Sequence, residues 1–398
     1  MSERKGGPLE GLKILDMTRV LSGPLATSWL SDMGASVIKV EDPNGGDSTR
    51  GVDGYCNYFA TFNRNKRCVT LNLKDPKGKE MFLELVKKSD VVAENFRPGT
   101  MEKLGLGFDV LRSVNEKIVL ASISGYGQTG PYSHRPGYDV VGQAMGGIMS
   151  LTGEADGRPL KCGPSIGDTS AGMNMVVGIL AALYRVNATG KGERVEVSLV
   201  DSVLALCSAD YIKYAETGEL PQRWGNDYGG WCPYGGGFEA VGGYFNIGVG
   251  TDKHWQLFCE KVIGRPELGT DPRFINHEAR VEHRAETNKL VADWCINLPI
   301  KEAVETLNEA GVPAAQIYNF ADIRADENFT VHRQMIKQLA DPVVGEISYI
   351  NTPNRFLESG LVDPRPAGKL GQYNEEVYGE YLGLSPAEVA ELKKNGTI

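Results

Sequence analysis

The chain has 398 residues, of which 41% are hydrophobic and 23% are charged, and its formal net charge is −9. This length predicts two domains, and this composition is that of an ordinary globular protein. The negative charge excludes a general affinity for nucleic acid or an anionic membrane surface, so a polyanionic ligand would need a local cluster of Lys and Arg.

The cysteines and histidines do not follow the pattern of a disulfide framework or a metal site. The seven cysteines are scattered without a CxxC pair, which predicts reduced thiols and a cytoplasmic protein. The five histidines form no HExxH motif, so we expect no metal. The N-terminal segment lacks the apolar stretch of a signal peptide, and no apolar run reaches the length of a membrane span, so we expect neither export nor membrane insertion.

Strands and helices alternate in the first half of the chain. Strands are predicted at 12–16, 36–41, 90–94, 117–124 and 194–199. Helices are predicted from the Gly23-Pro24 break to Met33, at 76–88, 139–150 and 169–186, and up to Tyr214. This alternation predicts an α/β fold with a parallel sheet covered on both faces. The turn TRVLSGP at 18–24 is not a GxGxxG, so the dinucleotide-binding fingerprint is absent.

The second half begins with a change in composition. A stretch rich in Gly, Pro, Trp and Tyr at about 217–237 predicts a linker or an active-site loop. The segment 238–250 then predicts a hairpin around Gly242-Gly243, and helices at about 252–263, 285–297 and 300–310 complete a smaller α+β unit. In the tail, Ser385 followed by Glu388 predicts a helix with a capping box.

One carboxylate stands out among small residues. The segment GPSIGDTSAG at 163–172 puts Asp168 at the start of an apolar helix. The unpaired N–H groups and positive potential of a helix N-terminus would keep this carboxylate ionised and oriented. Asp is also a common N-cap residue, so a purely structural cap is the alternative.

Three loops at the carboxyl ends of predicted strands carry basic or aromatic side chains, and ligands of open α/β sheets bind at such ends. These loops are LNLK at 71–74, ENFRPG at 94–99, and SISGYG at 122–127, which leads to RPGYD at 135–139. The sequence shows no GxSxG nucleophile motif with a partner His and no Walker loop.

Taken in order, these segments resemble the class III coenzyme A transferases, the family of formyl-CoA transferase and carnitine CoA-transferase. Further matching motifs are GLKILDMTRVLSGP, MGASVIKVE, NRNKRCVTLNLK, ENFRPGTMEKLGLG, RPGYDVVGQAMGG, PYGGGFEAVGGYFNIGVG and LGLSPAEVAELKKNGTI. The resemblance covers nearly the whole chain. It implies a Rossmann-like large domain at 1–224, a small α+β domain at 225–320, and a return to the large domain at 321–398, in an interlocked ring-like homodimer.

The resemblance also implies a chemistry. Asp168 matches the family's nucleophile, whose carboxylate attacks an acyl-CoA thioester to give an aspartyl–acyl anhydride. The CoA thiolate returns to form an aspartyl-CoA thioester, from which an acceptor carboxylate takes CoA. CoA and acyl-CoA are therefore substrates, with no tightly bound cofactor, and the expected partners are acyl-CoA, a carboxylic acid and a second copy of the chain.

CoA carries phosphates, an adenine and a pantetheine arm, so an acidic protein must bind it through local cations. Arg97 and Lys103 match CoA-contacting positions of the family, and Lys74 and Arg135 are further candidates. The other predicted CoA-binding residues are Asn95, Phe96, Met101, Leu71, Leu73 and Leu21. The alternatives are a solvated surface for the cations, core packing for Leu71 and Leu73, and a structural turn for Asn95 and Phe96.

Two further positions separate transferase from racemase. Tyr138 and Asp139 match an active-site aromatic residue and acid of the transferases, whereas the related α-methylacyl-CoA racemases have a catalytic His at the first of these. Tyr, with an unperturbed pKa of roughly 10, is a poor proton carrier at neutral pH, which favours a transferase. For Asp139 the alternative is a helix N-cap. Asp42 and Leu21 replace an Arg and a Gln of formyl-CoA transferase, which weakens a formyl-CoA/oxalate specificity.

The glycines Gly235, Gly236 and Gly237 are predicted to form a mobile lid over the intermediates, or alternatively an interdomain linker. The predicted function is therefore CoA transfer between short-chain carboxylic acids. The alternatives are an α-methylacyl-CoA racemase, an intramolecular CoA-transferring isomerase, and a CoA-binding dimer without catalysis.

Overall fold

The computed structural model describes residues 6–51 and 56–398, and the chain divides into two compact units. The first unit comprises Met1–Ile148, Lys161–Ile212 and Asn328–Ile398, and the second comprises Met149–Leu160 and Lys213–Glu327. The chain thus leaves the first unit and returns to it. The domain boundaries at 224/225 and 320/321 that the sequence suggested stay predictions.

The first unit is built on a six-stranded sheet in which every pair of neighbouring strands is parallel. Its strands are β1 (Lys13–Asp16), β2 (Ser36–Glu41), β3 (Arg67–Thr70), β4 (Val91–Glu94), β5 (Val119–Ser124) and β6 (Glu193–Ser198). The spatial order is β3-β2-β1-β4-β5-β6, which confirms the predicted α/β fold. Because the order reverses between β1 and β4, the carboxyl ends of these two strands open a crevice for ligands.

Helices connect these strands and continue beyond β6. They are α1 (Ser22–Asp32), α2 (Asn57–Asn63), α3 (Pro76–Val86), α4 (Thr100–Lys103), α5 (Phe108–Val114), α6 (Asp139–Met145), α7 (Ile148–Leu151), α8 (Ile166–Thr189), α9 (Leu199–Leu206) and α10 (Ser208–Thr217). The prediction of a single helix at 139–150 is wrong. This segment is divided into α6 and α7 because Gly147 adopts the left-handed conformation, with φ of 94°.

The second unit contains a four-stranded antiparallel sheet in the order β10-β9-β8-β7. Its strands are β7 (Asp227–Tyr228), β8 (Trp231–Ala240), β9 (Gly243–Gly248) and β10 (Ala314–Gln316). Its helices are α11 (Asp252–Leu257), α12 (His277–Glu282), α13 (Arg284–Cys295), α14 (Ile300–Ala310) and α15 (Phe320–Ala325). The predicted hairpin is confirmed, since β8 and β9 pair from Ala240↔Gly243 onward.

The C-terminal part of the first unit consists of a hairpin and two helices, namely β11 (Ile336–Asp341), β12 (Gly345–Ile350), α16 (Asn374–Leu382) and α17 (Pro386–Lys394). The predicted capping box is confirmed, since Ser385 Oγ accepts a hydrogen bond from the backbone of Glu388 and the Glu388 carboxylate accepts one from the backbone of Ser385. The C-terminal helices pack against the sheet, and Tyr378 donates to the carbonyl of Thr70 in β3 at 2.6 Å.

Successive residues of the parallel strands face opposite cores, as the period of a strand requires. Leu15 belongs to a core that α3, α5, α16 and α17 cover, whereas its neighbour Ile14 belongs to a core that α1 and α8 cover. Among the described residues, α8 is the one helix long and apolar enough to cross a membrane by length and composition. Its buried side chains, such as Met175 and Ile179, pack in the core that α1 and α8 cover, which accounts for part of that apolar character.

Charged side chains are buried beneath residues 17–21, here called the first turn, which joins β1 to α1. The Lys39 side chain is fully buried, and its Nζ donates to the carbonyl of Thr18 at 2.8 Å and to Asp47 Oδ2 at 3.1 Å. The Lys66 Nζ lies 2.9 Å from Asp16 Oδ2, and both of these side chains are also fully buried. Buried ions are costly unless paired, so these pairs fix the backbone of the first turn.

The substitution Lys39→Met should lower the free energy of unfolding by about 3–5 kcal/mol, because it leaves the buried Asp47 carboxylate without its cation. Urea unfolding followed by circular dichroism measures this change. The control is Lys77→Met, since Lys77 forms an exposed pair with Glu80 at 3.1 Å; this change should cost less than about 1 kcal/mol. Equal losses in the two variants would contradict the structural role of Lys39.

Candidate active site

Asp168 is the third residue of α8, and the N-cap of this helix is Ser165, whose side chain makes no capping hydrogen bond. The alternative that Asp168 is simply the N-cap is therefore wrong. The side chain is neither fully buried nor exposed, and it lines a cavity. Its carboxylate is thus available to a ligand.

The N-terminus of α8 is capped from another helix. Asp139, the first residue of α6, accepts hydrogen bonds through Oδ1 from the backbone N–H of Gly167 at 2.8 Å and of Asp168 at 3.3 Å. Its Oδ2 accepts a hydrogen bond from Gln143 Nε2 at 2.7 Å. The N-cap of α6 itself is Tyr138, so Asp139 is not the cap of its own helix, as the alternative for this residue proposed.

The groups around Asp168 shift the pKa of its carboxyl in opposite directions. Burial, and then the nearby negative charge of Asp139, raise the pKa of its carboxyl to about 6. The Ser22 hydroxyl opposes the rise as a hydrogen-bond donor to the carboxylate. The pKa of this carboxyl is therefore nearer to neutrality than that of an ordinary Asp. This direction is opposite to the effect of a free helix N-terminus on which the sequence prediction of an ionised carboxylate relied, because the N–H groups at the start of α8 bind Asp139 instead.

The cavity beside Asp168, here called the first cavity, has a volume of about 350 Å³. It lies at the carboxyl ends of the strands, next to the crevice that the reversal of strand order creates. Three arginines, Arg19, Arg97 and Arg135, line it together with Tyr138, whose side chain is largely exposed. Of the described residues that line this cavity, Asp168 is the only carboxylate. The arrangement places a single carboxylate in a pocket lined by three arginines.

A second cavity of about 230 Å³ adjoins the first, because Arg19 and Phe96 line both. The guanidinium of Arg19 lies over the Phe96 ring at 5.3 Å. Other predicted CoA-binding residues that line this cavity are Leu71, Leu73 and Lys74. Asp42 lines it too, so the residue that replaces an arginine of formyl-CoA transferase does face this cavity.

Asn95 lines the first cavity, but its amide already has protein partners. The side-chain Oδ1 accepts from the backbone N–H of Arg19 at 2.8 Å, and Nδ2 donates to the carbonyl of Arg19 at 2.7 Å. These two bonds join the loop after β4 to the first turn. The structure therefore gives Asn95 the structural role that the sequence left as an alternative.

Three predicted CoA-binding residues do not line either of these cavities. Leu21 and Met101 are 8% and 4% exposed, and Met101 packs in the core that α3, α5, α16 and α17 cover. Lys103 is exposed at the end of α4. The sequence placed all three beside ligand-binding loops, but it could not show that the leucine and the methionine turn inward.

The three glycines of the predicted lid lie within strand β8 of the second unit. All three adopt positive φ, and a β-bulge interrupts the pairing of β8 with β9 at this point. The segment between β7 and β8 holds another glycine pair, Gly229-Gly230. The role of Gly235–Gly237 as a lid stays a prediction.

Sequence reasoning missed three residues near Asp168. Ser22 and Arg19 line the first cavity, and both stand in the TRVLSGP segment, whose position after the first strand was the available signal. Tyr58, on α2, lies close enough to Asp168 that burial and then the Asp168 charge raise the pKa of its hydroxyl. No sequence pattern pointed to Tyr58. Among the described residues, no group of three His, Cys, Asp or Glu side chains is placed to hold a metal ion.

Comparison with known proteins agrees with this geometry. Residues 9–374 match the model of CoA-transferase family III. The chain is 37% identical over 404 residues to the succinyl-CoA–D-citramalate CoA-transferase of Chloroflexus aurantiacus, covering 100% of both chains. It is 40% identical over 414 residues to a formyl-CoA:oxalate CoA-transferase of Streptomyces coelicolor, covering 98% of this chain and 99% of the relative.

A solved structure shares the fold. A CAIB/BAIF family protein from Brucella suis superposes with a TM-score of 0.83 at 35% identity, covering 94% of this chain and 100% of the other. The family match spans most of the chain, and the relatives are aligned over nearly their full length. This chain therefore belongs to CoA-transferase family III and is an enzyme of the CoA-transferase class.

Proposed function

We propose that this enzyme moves CoA from a donor acyl-CoA to a carboxylic acid through covalent intermediates on Asp168. The observation that carries the proposal is the setting of this carboxylate. It is half-buried at the N-terminus of α8, and it is the only carboxylate among the described residues lining a cavity that holds three arginines. A carboxylate suits such an exchange because its mixed anhydride is high in energy and reacts readily in both directions.

The proposed reaction begins when an Asp168 oxygen attacks the thioester carbonyl of the donor. A C–O bond forms, the C–S bond breaks, and the CoA thiolate departs. The product on the enzyme is an aspartyl–acyl anhydride. The thiolate then attacks the aspartyl carbonyl and releases the donor acid as its carboxylate. The product of this step is an aspartyl-CoA thioester.

The second half runs the same steps in reverse order with a new acid. The acceptor carboxylate attacks the aspartyl carbonyl and expels the CoA thiolate, which gives an aspartyl–acceptor anhydride. The thiolate then attacks the acceptor carbonyl, so that the new acyl-CoA leaves and Asp168 is again a free carboxylate. Asp139 supports these steps by holding the N–H groups of Gly167 and Asp168, which fixes the backbone that carries the nucleophile.

We place the nucleotide end of CoA in the second cavity and the thioester in the first. Lys74 and Arg19 are the cations in the second cavity, and Phe96, which lines both, offers a ring face between the two ends of the ligand. The two cavities adjoin, as an extended ligand requires. The acidic Asp42 in this cavity makes Lys74 the more important partner for a phosphate.

We propose a dicarboxylic acid as acceptor. None of the three arginines of the first cavity is paired with a carboxylate in the described part of the chain, so they are available to a substrate anion. A second carboxylate on the acceptor would pair with one of them while the first attacks. The Chloroflexus and Streptomyces relatives are named for D-citramalate and oxalate, which are both dicarboxylates, and the former is named for succinyl-CoA as donor.

We also propose that two chains interlock as a homodimer. Large apolar side chains remain exposed on consecutive helices, including Val177 at 65% and Tyr184 at 79% on α8 and Leu206 at 53% on α9. Exposed apolar surface of this extent is typical of an interface.

The molar mass measured by light scattering on a size-exclusion column should be twice that of one chain. The substitution Val177→Glu puts a charge on the exposed face of α8 and should shift the population toward one chain at micromolar concentration. Thr189→Glu, at the exposed end of the same helix, is the control and should leave the mass unchanged. A wild-type mass of one chain would contradict the proposed dimer.

The substitution Asp168→Asn should abolish CoA transfer from succinyl-CoA to a dicarboxylate, with a loss of about 10³-fold or more, because an amide cannot form the anhydride. Incubating the wild type with succinyl-CoA alone should give an adduct on the peptide that contains Asp168, detected by mass spectrometry after hydroxylamine treatment. The control variant Asp109→Asn, on the exposed face of α5, should transfer normally.

Unimpaired transfer by Asp168→Asn would refute the proposed mechanism. Exchange of the α-hydrogen of a 2-methylacyl-CoA with deuterium from solvent, without any acceptor acid, would indicate a racemase instead.

The pH profile of kcat/KM should show an acid limb with a midpoint near the pKa of about 6 that burial gives Asp168. The nucleophile must be ionised, so the rate falls as the pH falls through this value, by about tenfold per unit below it. The substitution Asp139→Asn keeps an oxygen acceptor but removes the neighbouring negative charge, so it should move the midpoint to lower pH. A midpoint that rises in this variant would contradict the electrostatic coupling of the two carboxyls.

A further inference from the structure

The first turn has a backbone conformation that its sequence does not favour. Val20 adopts φ of 68°, in the left-handed region, where a β-branched side chain is strained. The residue lines the first cavity and is 39% exposed, so core packing of its side chain does not explain the conformation. Strain of this kind persists only where the surroundings impose it, and it often accompanies function.

Three sets of hydrogen bonds impose this conformation. The Asn95 amide binds both the N–H and the carbonyl of Arg19. Asp47 Oδ1 accepts from the N–H of Val20 at 3.3 Å, and Lys39 donates to the carbonyl of Thr18. The turn is thus held from two neighbouring strands, and the next residue after Leu21 is Ser22, the first residue of α1.

The close packing of α1 on α8 fixes where Ser22 lies. Gly172 is one helical turn beyond Asp168 and therefore on the same face of α8. A Cβ atom at Gly172 would lie 2.7 Å from the carbonyl oxygen of Ser22, so the two backbones touch. Ser22 is 5% exposed and lines the same cavity as Asp168. Its hydroxyl is therefore placed at the wall of this cavity where it can donate to the Asp168 carboxylate, in agreement with the lowering effect of Ser22 on the pKa of that carboxyl.

We infer that Ser22 is a positioning residue for the reaction, whose hydroxyl donates a hydrogen bond to the Asp168 carboxylate and keeps it ionised and directed into the first cavity. The inference rests on the proposed function, since it assumes that Asp168 is the nucleophile. The strained first turn positions this hydroxyl, and Gly172 provides the space for the backbone carbonyl of Ser22 beside α8. As the anhydride forms, the carboxylate loses its charge and the hydroxyl is released to the solvent or the substrate.

Several charged or titratable groups face Asp168 and contribute to its titration. From α6 comes the carboxylate of Asp139, and from α2 the hydroxyl of Tyr58. The other groups lining the cavity are Arg19, Arg97, Arg135 and Tyr138. A substitution that leaves all of these in place isolates the effect of the serine hydroxyl.

The experiment compares Ser22→Ala with Ser28→Ala. Both serines are buried on α1, but the Ser28 hydroxyl has no hydrogen-bond partner among the described residues, so its removal deletes no contact. The removal of a donor to the charged form raises a carboxyl pKa. In Ser22→Ala the acid limb of kcat/KM should move up by about one pH unit, which is a loss of about tenfold below pH 6 that fades above pH 8. Ser28→Ala should keep the wild-type midpoint.

Two outcomes overturn the inference. One is an acid limb of Ser22→Ala that coincides with those of the wild type and Ser28→Ala. The other is a loss of equal size at every pH, which would show a structural role only. Thermal unfolding of each variant establishes that it is folded. Asp168→Asn is measured in the same series. If this variant still transfers CoA, the proposed function fails. If it is inactive and the pH profile of Ser22→Ala equals that of the wild type, only the role of Ser22 is rejected.

Discussion

The Asp139 carboxylate binds the free N–H groups at the N-terminus of α8, and the rest of the site is arranged around that contact. A helix end has several unpaired donors, and a ligand or a side chain must satisfy them. Here the Asp139 side chain, from α6, accepts a hydrogen bond through Oδ1 from the N–H of Gly167 at 2.8 Å. The start of α8 is therefore fixed relative to α6, and Asp168, one residue later, has a defined position. The cost is a second negative charge beside Asp168, the proposed nucleophile.

Other groups of the site offset the negative charge of Asp139. Burial and the neighbouring Asp139 carboxylate raise the pKa of Asp168, whereas the Ser22 hydroxyl opposes the rise. The arginines of the first cavity supply positive potential to any bound anion. A carboxyl with a pKa of about 6 is ionised at pH 7 yet more basic than an ordinary Asp, which makes it a better nucleophile toward a thioester.

The sequence predicted most of the fold because its helices and strands are locally consistent. The strand at 36–41 and the helix starting at Pro76 agree with β2 and α3 in type and nearly in length. Asp168 was also found from its small-residue setting and the family resemblance. Contacts between distant segments were out of reach. The amide of Asn95 meets Arg19 across 76 positions, and the inward direction of Leu21 depends on packing that no local pattern records.

The C-terminal helices α16 and α17 have a consequence for the synthesis of the chain. Tyr378, Val389 and Ile398 fill a core whose strands lie between residues 13 and 124. During synthesis the strands therefore emerge from the ribosome long before the C-terminal side chains that cover them have been made. Until α16 and α17 emerge, the part of this sheet face that α3 and α5 do not cover stays exposed to other nascent chains. Efficient expression should accordingly depend on chaperones that shield hydrophobic surface, and deleting even the last two helical turns should yield insoluble protein.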